Sequence, residues 1–217
     1  MTEEISVFQD LTIHGCLGGL PAIRKALLDQ AIGPWHHAKE KEEIITINSD
    51  SDDVVVFTRD KEDGVEAVAL VLWSANLSYK VTNIVPRDVS ELGYEAYNQT
   101  LKDFVSRIVK PASKQVDFKF DLTSEQQSLN DWVCDNVAQE LRRFSKLANK
   151  STGSAHPSDR QRWLDFILLS HRSKTKLDTE LLVRWLIESQ KWADDKAYDL
   201  ATQYEFGLEL LNKYDRS

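Results

Sequence analysis

Four runs of β-forming residues follow one another between Glu43 and Val85, and the connections between them are too short for anything but antiparallel pairing. The runs are EIITIN (Glu43–Asn48), DVVVFTR (Asp53–Arg59), VEAVALVLW (Val65–Trp73) and LSYKVTNIV (Leu77–Val85). Their connections, SDSD, DKEDG and SAN, are built from the residues that turns favour. A parallel crossover needs a dozen or more residues, so the segment predicts a β-meander. The third run is apolar at nearly every position, which predicts a central strand covered on both faces.

Helical periodicity flanks the meander. A first helix is expected over Pro21–Ile32, with Pro21 suited to its first turn. A second is expected over Glu91–Lys110, where Tyr94, Tyr97, Leu101, Phe104, Val105 and Ile108 form one stripe and Pro111 stops the helix. The run QVDFKFDL (Gln115–Leu122) alternates cleanly and reads as a further strand.

From residue 123 onward the pattern is helical. The segment TSEQQSLNDWVCDNVAQELRRFSKLA places apolar residues from Leu129 to Ala148 at helical spacing and predicts one helix of about seven turns. Three shorter helices should follow. The first covers Asp159–His171, with Ser158 and Gln161 forming a capping box and Pro157 just outside it. The second starts after a capping Asp178. The third starts near Asp194 and carries Ala197, Leu200, Ala201, Tyr204, Leu208, Leu211 and Tyr214 on one face. The fold class expected is α+β: an antiparallel meander of four to five strands with a covering helix, then a helical C-terminal half. Residues 1–122 and 123–217 are expected to share one core as a single domain. The six tryptophans read as packing residues rather than a stacking platform for bases.

With 217 residues, the chain can bury roughly 70% of its unfolded surface without staples. Its two cysteines, Cys16 and Cys134, outline neither a disulfide framework nor a zinc site. The segment MTEEISVFQD has glutamates where an export signal would carry lysines, and no run approaches the ~18 apolar residues of a membrane span. A cytoplasmic protein without membrane contact is the expectation. A net charge of −8 disfavours sequence-blind nucleic-acid binding. The charge is uneven, however: residues 142–176 hold 9 Lys/Arg against 2 Asp/Glu.

That basic segment contains NKSTGSAHPSDRQRW (Asn149–Trp163), the densest collection of polar chemistry in the chain. It is not a P-loop, because Asn149 rather than a glycine precedes Lys150. It does deliver a Gly153 turn rich in hydroxyls to a helix N-terminus, where free amides favour an anion. Lys150, Ser151, Thr152, Ser154, His156, Arg160 and Arg162 are therefore the candidate anion-binding or partner-binding residues, with a basic ridge of Arg142, Arg143 and Lys146 beside them. The competing reading is a connecting loop that satisfies its own backbone.

No catalytic residues, metal ligands or cofactor are assigned. There is no G-x-S-x-G elbow and no HExxH pair. The fragment His36-His37 with Glu40 reads as polar surface, and Asp50, Asp52, Asp53 and Asp60–Asp63 read as loop tips. The function expected is a non-enzymatic interaction protein with a protein partner. An adaptor or inhibitor of the kind that neutralises a toxin or serves in a bacterial defence operon fits that description. The alternatives are a nucleic-acid or nucleotide-phosphate binder acting through 142–176, and an enzyme with a site around His156.

Overall fold

The computed structural model describes residues 3–15, 18–47, 53–62, 64–89, 91–174 and 176–217. In chain order the elements are β1 (Ile5–Ser6), β2 (Leu11–His14), α1 (Gly19–Leu28), β3 (Trp35–His37), α2 (Lys39–Ile47), β4 (Val54–Arg59), β5 (Val68–Ala75), β6 (Ser78–Pro86), α3 (Tyr94–Phe104), α4 (Lys110–Gln115) and β7 (Phe120–Leu122). They continue with β8 (Gln126–Gln127), α5 (Leu129–Trp132), α6 (Asp135–Leu147), α7 (Pro157–Arg172), α8 (Thr179–Arg184) and α9 (Asp194–Asp215). The chain is an α+β protein with a helical C-terminal half, and it divides into two compact units, Val7–Glu125 and Met1–Ser6 with Gln126–Ser217.

In the first unit six strands form one sheet in the order β3-β4-β5-β6-β2-β7, every neighbouring pair antiparallel. Strands β4, β5 and β6 stand where the sequence put them. β5 is covered on both faces: Val68, Leu70 and Leu72 enter the main core, while Val71 joins Val54 and Val56 beneath Ile45 of α2. The expected first strand is different. The run from Glu43 is helical through Ile47, Asn48 and the SDSD turn lie outside the described residues, and the meander opens instead with Trp35–His37. The reason lies one residue ahead of the run, at the buried carboxylate of Glu42. It accepts from the Val56 amide and His37 Nε2 through Oε1, both at 2.8 Å, and from Arg24 through Oε2, which anchors α2 to β4 as a helix.

Two further expectations are corrected here. Pro111 does not end the second helix, which passes through a π-helical turn at Val105–Val109 and continues as α4 to Gln115. Proline in a regular helix clashes with the carbonyl four residues back, and the wider turn just before it accommodates the ring. The strand expected over Gln115–Leu122 shrinks to Phe120–Leu122, because its first residue still belongs to α4. Buried Asn98 of α3 fixes the entry to β2: it accepts from the Gln9 amide and donates to the Val7 carbonyl, each at 2.8 Å.

In the second unit the seven-turn helix is broken. Ser128 and Asp131 close a capping box on the single turn α5, and Val133 and Cys134 are extended before α6 begins. The burial pattern nonetheless follows the sequence: Leu129, Val133, Val137, Leu141, Phe144 and Ala148 all enter this unit's core. Asp178 caps α8 as expected, accepting from the amides of Glu180 and Leu181. Its helix extends through a second π-helical turn, Trp185–Ser189. On α9 the expected face is buried from Ala197 to Leu208, but Tyr214 is exposed. Trp35, Trp163, Trp185 and Trp192 are buried, and Trp73 and Trp132 are partly so.

Candidate docking groove

The loop ahead of α7 turns most of its polar groups on itself. Asn149 Oδ1 accepts from the Ser151 amide at 3.0 Å and its hydroxyl at 2.8 Å, and the Asn149 carbonyl accepts from the amides of Thr152 and Gly153. Gly153 stands at φ +63°, a left-handed position that a side chain would strain. Buried Asp159 accepts from the Asn149 amide at 3.2 Å and from Arg162 at 2.6 Å. Lys150 donates to the Gln190 carbonyl, and Thr152 Oγ1 lies 3.4 Å from that of Asn149.

His156 takes the capping role expected of Ser158. Because Pro157 occupies the first helical position, the N-cap is His156, whose Nδ1 accepts from the Ser158 amide at 3.3 Å. Ser158 lies inside the helix, so its capping box with Gln161 is not formed. His156→Ala is therefore expected to lower stability by about 0.5–1 kcal/mol, the usual loss of a cap. Ser158→Ala should stay within about 0.5 kcal/mol. Urea melts of the two variants check the ranking, and the reverse order would return the cap to Ser158.

The basic ridge is largely paired. Arg142 binds Glu3 and donates to Asn130 Oδ1 at 2.6 Å, Arg143 lies 3.4 Å from Glu140, and Lys146 is exposed. The remaining candidates, Ser154 and Arg160, are brought to one place. Ser154 is buried and donates to Gln203 Oε1 of α9 at 2.7 Å, and Arg160 is exposed beside it at the head of a groove between α7 and α9.

The two helices run in the same direction, since Ser154 meets Gln203 at one end and His171 meets Asp215 at 2.8 Å at the other. Gly207 lets them approach: a Cβ there would stand 3.0 Å from Ile167 Cγ2. The groove encloses about 370 Å³. Trp163, Ile167 and Gly207 contribute to its lining, and Leu164, Phe206 and Leu210 flank it at 45%, 66% and 56% exposure. The indole N–H of Trp163 is buried without an acceptor among the described residues. None of these flanking residues, Leu164 on α7 or Phe206 and Leu210 on α9, is among the site residues expected from sequence. The signal was present in Phe206 and Leu210, one turn apart and off the core face of α9.

The first unit holds a second polar cluster, fully engaged with itself. Arg24 donates to Asp53 and the Val54 carbonyl, both at 2.8 Å, and binds Glu42, while the Tyr79 hydroxyl donates to Asp53. Burial first, and the adjacent Asp53 carboxylate second, push the Tyr79 phenol far above its ordinary value, so it stays protonated. This cluster ties strands to α1 and α2. His36 and His37 project from β3 to separate carboxylates, Asp60 at 3.1 Å and Glu42 at 2.8 Å. Among the described residues no group of three or more His, Cys, Asp or Glu side chains is placed to hold a metal ion, and no helix is long and apolar enough to cross a membrane. No protein-family model matches this chain, and no curated protein or solved structure matches it either.

Proposed function

We propose that this protein is a non-enzymatic interaction module, an adaptor or inhibitor, that docks a protein partner on the α7–α9 face. The observation that carries this reading is the exposure of Leu164, Phe206 and Leu210 around one groove. Apolar side chains scattered singly on a surface are ordinary, but clustered ones around a concavity mark interaction sites. The groove lining is hydrocarbon with Arg160 and Gln203 at one end, which offers shape and apolar contact rather than a nucleophile paired with a base. The basic loop supports the site by fixing the start of α7 and presenting Arg160. A role in toxin neutralisation or defence is one form this function takes in our reading.

Phe206 and Leu210 are largely outside the core, so replacing both with aspartate should change stability by no more than about 0.5 kcal/mol. A photo-crosslinking side chain at position 210, used in the native cell, should then give a discrete protein adduct that the Phe206→Asp change abolishes. Adducts no different from those of a probe at exposed Lys119 would overturn the reading.

A further inference from the structure

The polar end of the groove specifies the partner's chemistry. Arg142, Arg143, Arg162 and Arg184 each meet a carboxylate. Arg160, like Arg172 and Arg216, has no such partner among the described residues, but it alone of these three lines the groove, and the carboxylate nearest to it in sequence, Asp159, is buried and already held by Arg162 and the Asn149 amide. The Gln203 amide lines the same end, its oxygen taking the Ser154 hydroxyl and its nitrogen bonded to none of the described residues. The end of the groove therefore holds donors in excess of acceptors, at the N-terminal end of a helix whose dipole adds to the same sign.

Everything beyond that end is hydrocarbon. From Arg160 to Leu168 the groove follows α7 for about 12 Å, roughly two helical turns. Phe206 and Leu210 stand four residues apart on α9, the spacing of a ridge that packs against a third helix. The walls are half open, so an acyl chain would leave much of its surface in water, whereas small-ligand sites bury about 70–90% of their occupant. An amphipathic helix needs only one face covered.

Resting on the docking reading above, we propose that the groove receives an amphipathic helix of a partner protein. Two turns of apolar residues enter the trough, and a glutamate or aspartate one turn beyond them pairs with Arg160. The carboxylate sets which way the helix lies.

The probes are three synthetic helical peptides with capped ends, each with leucines at i, i+4 and i+7 and differing only at i−4, which is Glu, Gln or Lys. Decanoate serves as a fourth probe. Fluorescence anisotropy should show the Glu peptide binding about ten-fold more tightly than the Gln peptide, the gain expected of one charge-assisted contact, with Lys weakest. Arg160→Gln should erase the advantage of Glu while leaving the Gln peptide unaffected, and Leu210→Asp should weaken all three. Equal binding of the three peptides, or a Glu preference that survives Arg160→Gln, overturns this inference and leaves the docking surface standing. Failure of every peptide to bind overturns both, and decanoate binding in place of the peptides assigns the groove to a free amphiphile instead.

Discussion

Replacing Trp185 with alanine is expected to lower the stability of the helical unit by about 3–5 kcal/mol, the range for a large aromatic removed from a packed core. Trp185 is fully buried and opens the π-helical turn after α8, among Leu182, Val183 and Leu186 of the same core. The truncation removes the transfer energy of the indole and leaves a cavity that the flanking helices fill only in part. A second variant separates packing from polarity. The Trp185 indole N–H is buried without an acceptor among the described residues, and an unpaired buried donor is itself a cost of about 1–3 kcal/mol. Trp185→Phe removes that donor with a smaller loss of volume and should therefore be much milder than alanine. Urea denaturation of both variants gives the measurement. A loss below 1 kcal/mol for alanine would show that the ring does not fill the core.

Where the sequence was legible, local chemistry and tertiary contacts agreed. The valine-rich run 54–59 pairs as expected, and Asp178 caps α8 by accepting from the amides of Glu180 and Leu181. The failures come from residues acting at a distance. Glu42 is an ordinary surface residue in sequence, and its bonds to Arg24 and the Val56 amide, which tie α2 to β4, appear only in the structure. Lys191 ends the helix containing Trp185 in a left-handed conformation at φ 60°, a place where glycine is the usual signal. Its closing bonds, Lys191 to the Ile187 carbonyl and Trp192 to that of Leu186, appear only in the structure. At the candidate site the composition of the loop was visible but its direction was not: Lys150 and His156 serve the backbone, and Arg160 alone faces the groove. The unused side of α9 would have been found by following Phe206 and Leu210 as closely as the core stripe.

Neutralising Asp103 is expected to be as damaging as the loss of Trp185, and its effect should depend on pH. Arg59 is fully buried, with Nε on Asp103 Oδ2 at 2.9 Å and its other nitrogens on the carbonyls of Asp60, Val65 and Glu62 at 2.8–3.1 Å. Asp103 also accepts from Trp35 Nε1 and Arg107 Nε, both at 2.8 Å, so one carboxylate joins β3, β4 and α3. Burial pushes its pKa upward, but the hydrogen bonds from Arg59, Trp35 and Arg107 outweigh that and leave it below the ordinary value. Asp103→Asn keeps the shape and strands a buried guanidinium without a counter-charge, which costs about 3–5 kcal/mol. Because the folded pKa lies below the unfolded value of about 3.9, the stability from ionised Asp103 is complete above that pH. It is lost as pH falls through the depressed folded value. The gap between wild type and Asp103→Asn should thus be widest near pH 7 and narrow on acidification below about pH 4. Replacing the pair with Arg59→Met and Asp103→Leu should recover only part of the loss, since the carbonyls of Asp60, Glu62 and Val65 would then lack their donor. Denaturation curves for the three proteins at pH 7 and pH 3 decide the matter. An unchanging gap would mean that Asp103 is held as a neutral hydrogen-bonding group and that its charge contributes nothing to the fold.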